Sequence, residues 1–435
     1  MSKDSSTQDA STRTLLTALY EQAVRAALPS AILRDHLPPR PKGRLVIIAI
    51  GKAAASMAAA AEAHYTDPLE GIALTRHDHG LPTRHIEVIE AGHPVPDASG
   101  IEGARRIMAL ARSLNEDDFA LVLLSGGGSA LATLPIDGVS LTDKQDITRK
   151  LLASGAPIHD INTVRKHLSQ IKGGRLAAAV APARSLTLAI SDVAGDEAAV
   201  IASGPTVPDP TTKGDALTVL NRWHIDVPAH VAAAISAADE SPVPSDPCFQ
   251  HAEYKLIASG AGSLAAAAKL ATAQGYEVLN LGDRVEGEAR DVARVHAALA
   301  LEAKSKNQKL AILSGGELSV TFNTPTKARG GPNQEYALAL ALALNGANGI
   351  SALAGDTDGI DGGAGSADDP AGALIFATTL ARAHILGLDP QAALDAHAST
   401  DFFAALKDLL ETGPSMTNVN DFRVILIERS SATKT

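Results

Sequence analysis

Apolar residues fall into two rhythms along the chain. Over residues 12–28 they return at helical spacing, at Leu15, Leu16, Leu19, Ala23 and Ala26, and Pro38, Pro39 and Pro41 stop any continuation. Elsewhere they form short unbroken runs that end in glycine. Leu45–Ile50 is apolar on both faces and leads into Gly51, Lys52 and an alanine-rich helix, the order expected of a unit in a parallel sheet. The same order recurs at Phe119–Leu124 before SGGGSALA, at 186–190 before SDVAGD, and at 254–258 before SGAGSLAAAAKLA. It recurs again at 310–313 before SGGE and at 350–354 before GDTDGIDG, and 424–427 supplies a last strand. No repeat of fixed period links these units, which excludes a solenoid.

The pattern predicts an α/β protein of two domains, each with a largely parallel or mixed sheet flanked by helices. A polar, proline-rich break, ADESPVPSDP, follows Ala237. We place an N-terminal Rossmann-like domain over residues 12–245 and a C-terminal domain with its own sheet over 309–430. Residues 246–308 form a connecting region, in which 254–283 reads as a βαβ unit that either side could own. In open α/β sheets ligands bind beyond the carboxyl ends of the strands, so the polar residues after each strand are the place to look for chemistry.

Composition narrows the partners. The 435 residues suit two cores, and their 45% apolar and 20% charged content is globular usage. Aromatics at 3% and a net charge of -11 argue against nucleic acid, whereas a local cluster of cations can still bind a small anion. One cysteine, Cys248, excludes an internal disulfide and a thiolate metal site. The apolar runs fall far short of the roughly 20 residues that cross a bilayer. The polar start MSKDSSTQDA carries no targeting pattern, so no membrane partner and a cytoplasmic location are expected. A homo-oligomer is compatible with everything read here.

Several loops carry candidate chemistry. Ser125, Gly126, Gly127, Gly128 and Ser129 follow a buried strand, and three glycines present more backbone N–H groups than a turn needs, which suits an anion. Lys52 opens a helix, where a cation is unfavourable unless an anion shares the site. Five cationic side chains, Arg165, Lys166, His167, Lys172 and Arg175, cluster around one helix and its glycine exit; they suit a phosphate or carboxylate clamp, or simply a solvated face. Asp192 and Asp196 follow one strand, and Asp356, Asp358 and Asp361 another. Strand-end acids suit Mg²⁺ shared with phosphates, and Asx-turns are the competing explanation. Glu317 and the GGPNQE stretch add polar groups, and Asn333 is placed to cap the helix that follows it.

A P-loop, an HExxH zinc motif and a GxSxG elbow are all missing. Gly260, Gly262 and Ala265 fit the dinucleotide fingerprint, with Asp283 some 20 residues on, a weak match in a chain this rich in glycine and alanine.

Taken in order, IGKAA, GHPVPD, LLSGGGSAL, NTVRKHLSQIKGGRLA, SDVAGD, IASGPTVPDP, GGPNQEYALAL and GDTDGIDG make the chain resemble the glycerate 2-kinase family, which ends in a MOFRL domain. Some of its members carry the name hydroxypyruvate reductase. The resemblance implies two α/β domains with the active site in the cleft between them, and phosphorylation of glycerate to 2-phosphoglycerate by ATP with Mg²⁺ or another divalent cation. Its conserved lysine matches Lys52 and its acidic SDV loop Asp192, and to this catalytic set we add Arg165 and Arg329 as candidates for the substrate carboxylate or the ATP phosphates. Its SGGGS loop matches Ser125, Gly126, Gly127, Gly128 and Ser129, to which we add Gly51, Lys172, Glu317 and Asn333 as candidates for the nucleotide, and its acidic loops match Asp192, Asp356 and Asp358, the metal candidates. Pro332 stands where many members have an arginine, and Arg329 is the nearest replacement charge. The rival readings are an NAD(P)H-dependent hydroxypyruvate reductase and a non-catalytic nucleotide- or metabolite-binding protein.

Overall fold

A computed structural model describes residues 3–67, 69–322, 328–362 and 366–430. The chain divides into two compact units, one of residues 29–257 and one of residues 1–28 with 258–435.

The first unit is built on strands β1 (Leu45–Ile50), β2 (Glu70–Arg76), β3 (Ile86–Ala91), β4 (Phe119–Leu124), β5 (Arg184–Ile190) and β6 (Ala252–Ala258), ordered β3-β2-β1-β4-β5-β6. The pairs β2/β3, β1/β2, β1/β4 and β4/β5 are parallel. The chain leaves β1 toward β2 and β3, then returns to place β4 on the other side of β1. The loops after β1 and β4 therefore diverge and open a crevice, the switch point at which doubly wound sheets bind ligands. Val46, Ile48, Ile50, Val122 and Leu124 all enter one core on a single face of the sheet. Beside the sheet, helices Leu141–Ala153, Ile158–His167, Lys213–Arg222 and Ala229–Ala237 bury a separate cluster around Ile147, Leu151, Val164, Val219 and Val231.

The second unit holds β7 (Glu277–Asn280), β8 (Gly287–Glu288), β9 (Leu310–Ser314), β10 (Leu318–Ser319), β11 (Ile350–Asp356), β12 (Gly372–Ile375), β13 (Leu409–Leu410) and β14 (Asp421–Ile427). Its main sheet, β13-β12-β11-β14-β9-β7, is mixed: β7 and β9 are parallel and the other neighbours antiparallel. Alternate residues serve opposite cores. Ile312, Ala352, Ile425 and Ile427 face helices Ala289–Ser305 and Pro332–Leu344, whereas Leu313, Leu353, Val424 and Leu426 face helices Lys3–Arg25 and Gly260–Ala273. With both faces covered, each strand must be apolar throughout, and that produces the unbroken runs in the sequence.

Two features depart from the order of the sequence. The N-terminal helix packs Leu16, Leu19, Tyr20 and Ala23 against Leu264, Ala267, Leu353 and Phe422, in the unit of the C-terminal sheet and not beside the strand that follows it. Residues 254–283 are not one βαβ unit: β6 pairs in the first sheet and β7 in the second, with helix Gly260–Ala273 between. Local periodicity fixes the elements of such a stretch, but not the sheet each one joins.

Candidate active site

At the switch point of the first sheet, backbone hydrogen bonds tie the two divergent loops together. Ser125 N donates to Ile50 O at 3.0 Å, and Lys52 N donates to Gly126 O at 2.8 Å. The Ser125 hydroxyl, fully buried, accepts from Ala53 N at 3.0 Å. Gly51 sits at φ 131°, where a Cβ would be strained and would collide with Ser125 Oγ. A Cβ on Gly126 would fall on the Asp192 carboxylate after β5, and one on Gly127 would lie 3.0 Å from both His93 Nε2 and Lys52 Cγ. The glycines thus let the backbone run against Lys52, His93 and Asp192, which come from three separate strand ends.

Below the loop lies a cavity of about 550 Å³, lined by His93, Gly127, Ser129, Lys144, Arg165 and Lys172 among others. Ser129 Oγ shares a 2.8 Å hydrogen bond with Ser203 Oγ. Lys172, buried, donates to Ser129 O at 2.8 Å and Ala132 O at 2.9 Å, so its ammonium also splints the turn after the glycines. Burial, and then the charges of Lys144 and Arg165, hold its pKa well below the usual lysine range. Burial lowers Arg165 in the same way.

The five cations of the sequence divide by job. Arg165 and Lys172 line the cavity. Lys166 Nζ and His167 Nε2 lie 3.4 and 3.6 Å from the buried carboxylate of Asp209, and Arg175 donates to Ser241 Oγ at 2.8 Å and Asp239 O at 3.0 Å. The latter three anchor the 203–211 loop and the chain near Ser241, so only part of the cluster is available to a ligand.

In the second unit the acids divide too. Asp361 is a helix cap: its carboxylate accepts from Asn333 N and Gln334 N at 2.9 Å each, and from Asn333 Nδ2 and Gln334 Nε2 at 3.2 and 3.1 Å. Asn333 therefore does not cap its own helix. It lies inside the first turn, behind Pro332, and its amide also donates to Asp421 at 2.6 Å. Asp356 Oδ1 accepts from Asp358 N, and Asp358 Oδ1 from Ile360 N, at 2.9 Å each, the Asx-turns that competed with a metal role. Arg329 is largely exposed and pairs with Asp369 at 3.6 Å. Glu317 is exposed at the glycine turn after β9. Among the described residues no three His, Cys, Asp or Glu side chains converge as a metal cage.

The dinucleotide fingerprint is built differently from its sequence. Asp283 Oδ2 accepts from Ala261 N at 3.0 Å and so occupies the helix N-terminus that a pyrophosphate would need.

Known families bear on this geometry directly. Residues 15–236 match a domain of unknown function, DUF4147, and residues 310–421 match the MOFRL family. The chain belongs to this DUF4147 and MOFRL family. A protein of Agrobacterium vitis named "Putative hydroxypyruvate reductase" is 47% identical over 96% of this chain and 95% of its own. The D-glycerate 2-kinase of Thermotoga maritima is 39% identical over 96% and 99%. The crystal structure of glycerate kinase from the same organism superposes with a TM-score of 0.87, at 38% identity, over 96% of this chain and all of that one. Within the DUF4147 match lie Lys52, His93, the Ser125–Ser129 turn and Asp192, together with Lys144. Sequence reasoning singled out neither His93 nor Lys144 as a site residue. His93 stands in the GHPVPD stretch and was findable there, whereas a lysine inside an amphipathic helix carries no local signal.

Proposed function

We propose that this protein phosphorylates glycerate with ATP, giving 2-phosphoglycerate. The observation that carries this reading is the glycine turn Ser125–Ser129 at the sheet's switch point, flanked by Lys52, His93 and Asp192 and floored by buried cations. Phosphoryl transfer asks a protein chiefly for positioning and for stabilisation of spreading negative charge, and those are the properties of this turn.

Both groups that the reaction brings fit the residues present. ATP supplies the phosphoryl group, and Mg²⁺ neutralises its charge. Mg²⁺ keeps several waters and asks for one or two carboxylates, so Asp192 is the candidate in the first unit, and Asp356 with Asp358, whose carboxylates also accept from the turn that follows β11, are the further candidates. The turn's N–H groups and the Lys52 ammonium hold the transferring phosphoryl. Asp192 orients the 2-hydroxyl of glycerate or accepts its proton, so that the hydroxyl oxygen bonds to the γ-phosphorus as the bridge to the β-phosphate breaks. Arg165 takes nucleotide phosphate, and Arg329, exposed beside Asp369, is the candidate for the glycerate carboxylate.

The relatives named as kinases support this reading along nearly their whole length. The reductase reading has less behind it, since Asp283 fills the turn that nicotinamide dinucleotide would use. Phosphorus NMR of the protein with ATP, Mg²⁺ and D-glycerate tests the proposal. Growth of a 2-phosphoglycerate resonance with ADP is expected. Intact ATP beside folded protein would sink it and make hydroxypyruvate with NADH or NADPH the next assay.

A further inference from the structure

The cavity beneath the glycine turn contains a cation that neither the motifs nor the resemblance assigns. Lys144 lies on helix Leu141–Ala153, is only 6% exposed, and donates to Leu168 O at 3.2 Å. Two of its three N–H groups make no hydrogen bond within the described residues. Arg165, on the neighbouring helix Ile158–His167, makes no side-chain hydrogen bond or ion pair with the described residues, although it lines the same cavity. Lys172 keeps one N–H beyond its two carbonyls.

The remaining charged or titratable groups that face Lys144 do not offset it. Arg149 and His93 line the cavity, and Arg175 adds positive charge from the next helix. Asp143, on the same helix, is held by Ser140 and by His230 of helix Ala229–Ala237. Uncompensated burial of cations is costly, and a fold keeps it where a ligand completes the pairing.

We propose that Lys144 is a phosphate-binding residue, which with Arg165 and Lys172 forms a three-cation floor for the triphosphate of the nucleotide. The inference rests on the kinase reading of the site. Charge number favours the triphosphate over glycerate, because one carboxylate would leave two of the three cations unpaired. The donor count agrees: two from Lys144, one from Lys172 and a guanidinium fork suit the many oxygens of a phosphate chain. The burial that depresses Lys144, together with the charges of Arg165 and Arg175, brings its pKa to about 7, so its charge is sensitive to what occupies the cavity.

Calorimetric titration of the full-length protein with inorganic triphosphate, and separately with D-glycerate, tests this. Lys144→Met should weaken triphosphate binding at least about tenfold, the scale of one lost charge-assisted contact, and leave glycerate affinity unchanged. Lys144→Arg, which keeps the charge if the helix tolerates it, should retain most of the affinity. Triphosphate binding within about twofold of wild type in a folded Lys144→Met variant would overturn the proposal, as would a loss confined to glycerate. If Lys144→Met fails to fold, wild type decides by pH. Its triphosphate affinity should fall about tenfold more than that of Lys144→Arg between about pH 6.5 and about pH 8.5, and parallel slopes would overturn the assignment. Failure of the kinase reading is seen separately: triphosphate bound through Lys144 with no phosphoglycerate formed leaves the floor standing, whereas turnover with Lys144-independent binding leaves only the kinase.

Discussion

Glycine, at the scale of single residues, is as informative as the charged side chains it lies against. Gly126 has no room for a Cβ because Asp192 is already there, so Gly126→Ala should displace the carboxylate and lower turnover at least about tenfold while the sheet beneath is kept. Steady-state kinetics together with circular dichroism would check both halves, and near-normal kcat would remove Asp192 from the reaction. Lys52→Ala should likewise lower kcat more than about tenfold without loss of fold, since its side chain lies against the turn and outside the core. Lys144 calls for the opposite balance of stability and activity. Its folded pKa of about 7 lies below that of an unfolded lysine, so between about pH 7 and about pH 10 the unfolded chain binds more protons and stability rises with pH. Lys144→Met removes that slope, and near neutral pH it should be neutral or stabilising by about 1–3 kcal/mol, read from urea unfolding at several pH values. A variant destabilised at every pH would mean that the ammonium supports the fold.

Helices and strands show where pattern sufficed and where it did not. The runs at Leu45–Ile50 and Phe119–Leu124 are apolar on both faces because both faces are covered, and sequence alone bounded these strands correctly. Two other strands of the same sheet were harder to see. Glu70–Arg76 and Ile86–Ala91 lie toward the edge, and polar residues interrupt their runs, so no comparable signal marks them. The acids after β11 look alike in sequence, and only the fold separates them. Asp356 and Asp358 turn the chain, whereas Asp361 reaches over to the start of helix Pro332–Leu344. Asp361→Ala should therefore cost about 2–3 kcal/mol, because a cap is lost and buried donors go unpaired. Thermal or urea unfolding would measure it, and an unchanged midpoint would show that water replaces the carboxylate. Burial pushes this carboxyl up to about 7, against the N–H groups that donate to it. Its contribution is fully present below about pH 4 and fades as pH rises through about 7, so the cost of the substitution should be larger at pH 5 than at pH 8.

Across the whole molecule, the division into two units does not follow the order of the chain. The first 28 residues belong with residues 258–435, and their helix is wedged into that core through Leu16, Leu19, Tyr20 and Ala23. Polar ties add to the packing: Tyr20 donates to the Asp356 carbonyl at 2.6 Å, Ser263 to the Ala23 carbonyl at 2.7 Å, and Thr417 to the Ala27 carbonyl at 2.7 Å. Burying each of the larger side chains is worth about 1.5–3 kcal/mol, and a domain has only about 5–15 kcal/mol in total. Residues 258–435 expressed without the helix should therefore fail to unfold cooperatively in urea. Residues 29–257 contain their own sheet, their own core and every residue of the three-cation floor. That segment alone should fold and bind inorganic triphosphate. If instead the C-terminal segment folds cooperatively by itself, the helix is an accessory of its unit; if residues 29–257 fold but leave triphosphate unbound, the phosphate floor requires more of the chain than the residues that line it.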